Sequence, residues 1–360
     1  MRLAWGEVVG IAAERPGLQR LRVEVDGVQA SAVCLPQLSG PCVPGDRVLL
    51  NTTAVDMGLG TGGAHFVVAR ADERGFSDSS GGHIMKLRYT PLQRDVLAVE
   101  EAASAHTEAL SEADDLGGLP VVCCALHSHV LPVAAAVKEA APGARVVYVM
   151  TDEAALPLAL SDAVADMRSV GLLDGTVTVG QAFGGDVEAV SLHSGLLAAS
   201  SVLSADVAVV AIGPGVPGTG SRFGHGGVAA GEAVNAVAAL GGTPVATLRV
   251  SFADRRERHR GVSHHSLVAL GRVALAPATV AVPRLGVEQA SAIGSQLEQA
   301  GIWRLHRRME VEATLPDTRG VPMRSMGRSP EEDPAFFLAA AAGGRAALSL
   351  LRRPRGAPEG

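Results

Sequence analysis

The spacing of apolar and polar positions divides the 360-residue chain into two regimes. Up to residue 70, short alternating runs are separated by turn residues. Val23-Glu24-Val25 leads into Asp26-Gly27, a hairpin signal, and Pro44-Gly45-Asp46 precedes the run 47–51. A further alternating stretch at 65–69 completes a set of short strands that predicts a small β-barrel or sandwich domain over 1–70. A polar linker is expected at 71–91, ending in the string Gly82 to Pro91. Apolar residues at 92, 96, 99, 103 and 110 then predict a helix that opens a second domain, 92–350.

From residue 120 the rhythm changes to continuous Val/Ala/Ile-rich runs alternating with amphipathic stretches. Strands are expected at 120–126, 145–150, 176–181, 206–212, 245–251 and 279–282. Helices are expected at 130–141, 155–169, 195–204, 228–240 and 263–276. Runs that are apolar throughout suit strands covered on both faces, and strand–helix alternation reads as an α/β fold, a doubly wound, mostly parallel sheet of Rossmann-like type. A helix at 287–299, a charged β-like run at 304–313 and an Ala-rich helix from about Pro334 follow. The tail 351–360 reads as disordered.

Composition narrows the function. The formal charge is 31 − 37 = −6 and aromatics are 3%, so neither phosphate neutralisation nor base stacking is supported and nucleic acid is not an expected partner. The stretch Ala335 to Leu351 is apolar, yet Arg345 at its centre is expensive in hydrocarbon, and the N-terminus lacks a continuous apolar segment. These features predict a cytoplasmic protein without membrane partners. Cys34, Cys42, Cys123 and Cys124 form no Cys-x-x-Cys pair and read as buried thiols. Lys86 and Lys138 are the two lysines beside 31 − 2 = 29 arginines; Lys138 reads as a surface residue on a helix.

In an open parallel sheet, ligands bind beyond the carboxyl ends of the strands. The expected strands are followed there by His127-Ser128-His129, by Thr151-Asp152, by the loop Gly213 to Gly227, and by the segment Asp254 to Arg260. The glycine-rich loop fits a dinucleotide pattern only superficially, because Pro214 and Pro217 remove two donors and no ribose-binding acid follows; a Walker lysine is also missing, so no cofactor is assigned. Glycines still let backbone N–H groups approach an anion, and Gly218, Thr219, Gly220, Arg222 and His225 are its candidate contacts. Arg255, Arg256, Arg258, His259 and Arg260 then run into Ser263-His264-His265, where Ser263 would cap a helix. Guanidinium groups at a helix N-terminus make an anion site for phosphate or carboxylate. Neighbouring cations would keep His264 and His265 neutral near pH 7 and able to move a proton, with His225 as a third candidate and Asp152 orienting one of them. His127, Ser128 and Lys86 could reach the same edge. No metal-ligand spacing of HExxH or Cys₂His₂ type is present, so no metal site is assigned.

Gly58-Leu59-Gly60-Thr61-Gly62-Gly63, the lysine string Gly82 to Thr90, Gly218-Thr219-Gly220, Arg258 to His265, and Met326-Gly327-Arg328 resemble strings of the domain of unknown function 3866 family. The resemblance covers almost the whole chain. It implies no activity, ligand or catalytic residue, so the expectation from the residues stands. That expectation is a hydrolase or transferase acting on a small anionic metabolite. The alternatives are a non-catalytic ligand-sensing or assembly module, and a metal-dependent hydrolase with Asp152 or Asp254 and His127 among its ligands. A homodimer is compatible with the Ala-rich C-terminal helix.

Overall fold

The computed structural model describes residues 1–351 except 60–62, 72–75 and 313. The tail expected to be disordered therefore lies almost wholly outside the described residues, as do Gly60 to Gly62 of the glycine string. The chain forms two compact units, Met1–Leu97 and Ala98–Gly360.

In the first unit, β1 (Leu3–Arg15), β2 (Leu18–Val25), β3 (Val28–Cys34), β4 (Arg47–Asn51) and β5 (Ala64–Arg70) close a barrel in the order β1-β2-β3-β5-β4. Alternation points Val8, Leu21, Val23, Val48 and Leu50 inward, as the period of 2 predicts. The segment expected as a linker carries β6 (Ile84–Lys86), which pairs antiparallel with β7 (Arg94–Val96). The predicted helix over 92–110 does not form. Its apolar residues are used by extended backbone instead: Val96 pairs with Ile84, and in the second unit Val99 donates its N–H to the Glu188 carbonyl, 2.8 Å away. Tertiary pairing overrides the helical period here, and only Thr107–Ser111 is helical.

The second unit is an eight-stranded parallel sheet. Its strands are β8 (Pro120–Cys123), β9 (Val146–Thr151), β10 (Gly175–Thr178), β11 (Val187–Glu188), β12 (Val207–Ile212), β13 (Thr243–Ala246), β16 (Thr279–Pro283) and β17 (Arg307–Val311); β14 (Val250–Ser251) and β15 (Gly261–Val262) form a separate antiparallel pair. The order across the sheet is β11-β10-β9-β12-β8-β13-β16-β17, so β12 lies between β8 and β9.

Both faces are covered, which explains the uninterrupted apolar runs. Val121, Val147, Val149, Ala208 and Val210 face one core, shared with helices Leu192–Ser201, Ala229–Ala239 and Val287–Gln299. Val122, Val146, Tyr148, Val209 and Ala211 face the other, shared with helices Val130–Ala140, Asp162–Ser169 and Pro334–Ser349. Arg345, the charge that interrupts the last helix, reaches Glu139 at 2.7 Å. Lys138 is not a surface residue: it is buried and bonds Asp174 at 2.8 Å, a carboxylate that also accepts from the Val146 N–H. Among the described residues no helix is long and apolar enough to cross a membrane.

Candidate functional site

The neighbouring strands β8 and β12 send their next helices to opposite faces of the sheet. Such a switch opens a crevice at the carboxyl ends. Three segments begin beside it: 127–129 after β8, 213–227 after β12, and 247–265 after β13.

The last of these builds most of the site. The expected strand 245–251 ends after Ala246: the Thr247 N–H still reaches the Cys123 carbonyl of β8, and Arg249 then leaves the sheet. The Arg249 N–H donates to Ser266 Oγ at 2.9 Å, and its carbonyl accepts from the Ser263 N–H at 2.8 Å. The chain then runs out along β14, makes a 3₁₀ turn at Glu257–His259 and returns along β15. Gly261 closes this return at φ 72°, where a Cβ would strike the Gln296 carboxamide. Ser263 caps the helix His264–Val268 by accepting from the His265 N–H, as the sequence implies.

Arg249 is 1% exposed. Its Nη2 lies 3.6 Å from Asp254 Oδ2, and its Nη1 donates to His265 Nδ1 at 3.3 Å. Asp254 also takes a bidentate pair from Arg256, at 3.0 and 2.8 Å, and lies 3.6 Å from Arg328. Arg328 further donates to Asp333, which accepts from Ser251 Oγ at 2.6 Å. Three guanidinium groups thus share two buried carboxylates, leaving the cluster one positive charge in excess. The Arg256 hydrogen bond, outweighing burial, holds the Asp254 carboxyl well below its usual range. Met326, at φ 49°, offers its sulfur to Arg249 and Arg256 at 3.4 and 3.2 Å.

Four imidazoles gather against this cluster. His225 stacks on His265 with ring centroids 3.8 Å apart and planes 7° apart. His264 meets both rings edge-on, at 5.1 and 4.5 Å, and His259 lies 5.0 Å from both His264 and His265. A carbonyl can only accept, so His225 Nε2 donates to the Arg222 carbonyl at 3.1 Å, and its buried Nδ1 keeps a lone pair without a partner. Arg249 likewise fixes His265 Nδ1 as an acceptor. His259 Nδ1 and Ser263 Oγ share a hydrogen bond at 2.7 Å. Burial is the first cause that lowers every one of these histidines, and Arg249 adds to it in each case: His259 to about 3, His264 to about 4, His265 to about 2. All four are neutral at pH 7.

Glycines permit the approach. A Cβ on Gly227 would sit 3.1 Å from both His225 Nδ1 and His265 Nδ1. Gly218 bridges to His225, and its Cβ position is 3.8 Å from His265 Nε2. The glycine-rich loop therefore does lie against the histidines. Thr219 and Gly220 beyond it are exposed, as are Arg222, Arg255, Arg258 and Arg260. A cleft of about 530 Å³ opens beside the arginines, lined by Asp254, Arg255, Arg256, Met326, Arg328 and Glu332.

Other candidates have different occupations. Asp152 accepts from the Gln181 N–H at 2.7 Å in the turn after β10. His127 bonds Tyr148 Oη and Ser161 Oγ, at 3.1 and 2.7 Å, and burial lowers it to about 4. Ser128 bonds Ser325 at 3.1 Å. Lys86 is buried on β6 of the first unit. Sequence reasoning gave no site role to Arg249, Ser251, Arg328 or Asp333. The one available signal for Arg249 was a charge inside an apolar run.

A two-faced parallel sheet joined to a five-stranded barrel makes this an α/β protein of Rossmann-like type with a barrel unit. The chain belongs to the family described as Protein of unknown function (DUF3866), which matches residues 31–344. No curated protein matches it, and no solved structure does. Three of the family-like strings, Gly218 to Gly220, Arg258 to His265 and Met326 to Arg328, supply residues to the histidine–arginine cluster and its edge.

Proposed function

We propose that the chain is a hydrolase or transferase acting on a small anionic metabolite, phosphorylated or carboxylated, at the carboxyl edge of the sheet. The observation that carries this reading is Arg249, a buried guanidinium whose Nε has no partner and which faces neutral imidazoles. An unmet buried donor costs about 1–3 kcal/mol, which an anionic acceptor offsets. Guanidinium groups take such oxygens in pairs, and Arg256 and Arg328 extend the wall. The neutral rings of His225, His264 and His265 are the groups that face a bound substrate.

A screen of phosphorylated and carboxylated metabolites against the full chain tests the reading. The expected result is turnover of at least one anion, lost in Arg249→Met and sharply reduced in Arg328→Met. A metabolite that raises the melting temperature without being consumed replaces this reading with ligand sensing. No effect from any anion overturns it.

A further inference from the structure

We infer that His225, His264 and His265 form a binding site for one divalent transition-metal ion of the zinc type. The inference rests on the reading of this pocket as the reaction centre for its purpose, but its own support is geometric. Each of the three rings offers one nitrogen, and those atoms lie within 4.8 Å of one another. His225 is already arranged as a ligand: its Nε2–H is tied to the Arg222 carbonyl, which turns a bare Nδ1 inward. Imidazoles that hold a metal through one nitrogen almost always anchor the other in this way. His264 Nε2 is the second buried ring nitrogen in the cluster without a partner. Three neutral imidazoles suit zinc, cobalt or nickel far better than magnesium or calcium, which take oxygen ligands.

Two features define the movement that binding requires. Nitrogens about 2.0–2.1 Å from a tetrahedral ion lie roughly 3.3 Å from each other, so the three must close in. The second is the stack: in-plane lone pairs of rings 7° from parallel cannot meet at one point. His225 is fixed by Arg222, so His265 is the ring that turns. Its bond from Arg249 is long, 3.3 Å, and Gly227 leaves no side chain in the way. Arg249 keeps its contact with Asp254 when His265 turns.

Full-length protein is stripped with chelator and titrated with Co²⁺ in the absence of any metabolite. The expected result is one ion per chain, with the strong visible absorption of a four-coordinate, nitrogen-bound cobalt centre. His225→Ala, His264→Ala and His265→Ala each weaken binding by at least about tenfold, whereas exposed His193→Ala does not. The wild-type spectrum decides the matter even where a variant fails to fold. Absence of a stoichiometric ion, an octahedral spectrum, or undiminished affinity in folded His225→Ala or His264→Ala overturns the site. Wild-type protein that takes no cobalt yet still turns over an anion loses only the metal, and the function stands; protein that binds cobalt but acts on no anion loses only the function.

Discussion

Asp254 is the residue on which the arginine cluster depends, since Arg249, Arg256 and Arg328 all lie within 3.6 Å of one of its oxygens. Removing one partner of a buried pair leaves an uncompensated charge and costs about 3–5 kcal/mol. Asp254→Ala is therefore expected to lower stability by that order, read as a shift in the denaturant midpoint; a shift within about 0.5 kcal/mol contradicts the buried network. A glycine pair tests the histidine pocket itself. Gly227→Ala places a methyl 3.1 Å from two imidazole nitrogens, while Gly218→Ala makes contacts of 3.5 Å and beyond. The first should abolish ligand or cobalt binding and the second should largely preserve it, measured by calorimetric titration of both proteins. At this scale the sequence was half legible. The run 258–265 announced its histidines because polar residues of one kind stand out in apolar surroundings. Arg249 was hidden, because a single charge in a strand-like run looks like an edge residue until the backbone is seen to leave the sheet.

The elements test a different balance. Gly343 and Gly344 lie in the helix Pro334–Ser349, where alanine is intrinsically better by about 1 kcal/mol. A Cβ on Gly343, however, collides with the Thr247 methyl, and one on Gly344 collides with the Val133 carbonyl. Overpacking costs about 1–3 kcal/mol, so packing outweighs propensity. Gly343→Ala is expected to lower the melting temperature; an increase would mean the helix is less tightly seated on Val122 and Thr247. Ser191 caps the helix Leu192–Ser201 in a reciprocal box with Ser194. Ser191→Ala should cost about 1 kcal/mol in chemical denaturation. Elements of this kind were the most legible feature of the chain, because strands covered on both faces must be apolar throughout. The exceptions share a cause. The 92–110 segment and the end of the 245–251 run both take partners distant in sequence, Glu188 in one case and Ser263 and Ser266 in the other, and no local period encodes such partners.

For the whole molecule, acid is the natural probe. Burial keeps His127 and His129 neutral in the folded state, lowering them to about 4 and about 3. In the unfolded chain a histidine titrates near 6.5. Between those values the unfolded state binds more protons, so stability rises with pH there. The contribution is complete above about pH 6.5 and is lost as pH falls toward 4, before the Asp254 contribution, which fades only below the ordinary aspartate value of about 3.8. Denaturation of metal-stripped protein at pH 8, 6 and 5 should show a progressive fall, and a flat profile would sink the assignment of neutral buried rings.

The presence of two faces and parallel strands was legible at this scale, but the order of the strands was not. Insertion of β12 between β8 and β9 is invisible to any local pattern, and it carries a consequence for synthesis. A nascent chain that has emerged from the ribosome as far as residue 206 holds β8 and β9 with nothing to join them. Their shared neighbour arrives some sixty residues after β9 begins, and non-local parallel pairing is intrinsically slow. The centre of the sheet therefore cannot close in an arrested polypeptide that stops short of β12, although β9, β10 and β11 can already pair in it.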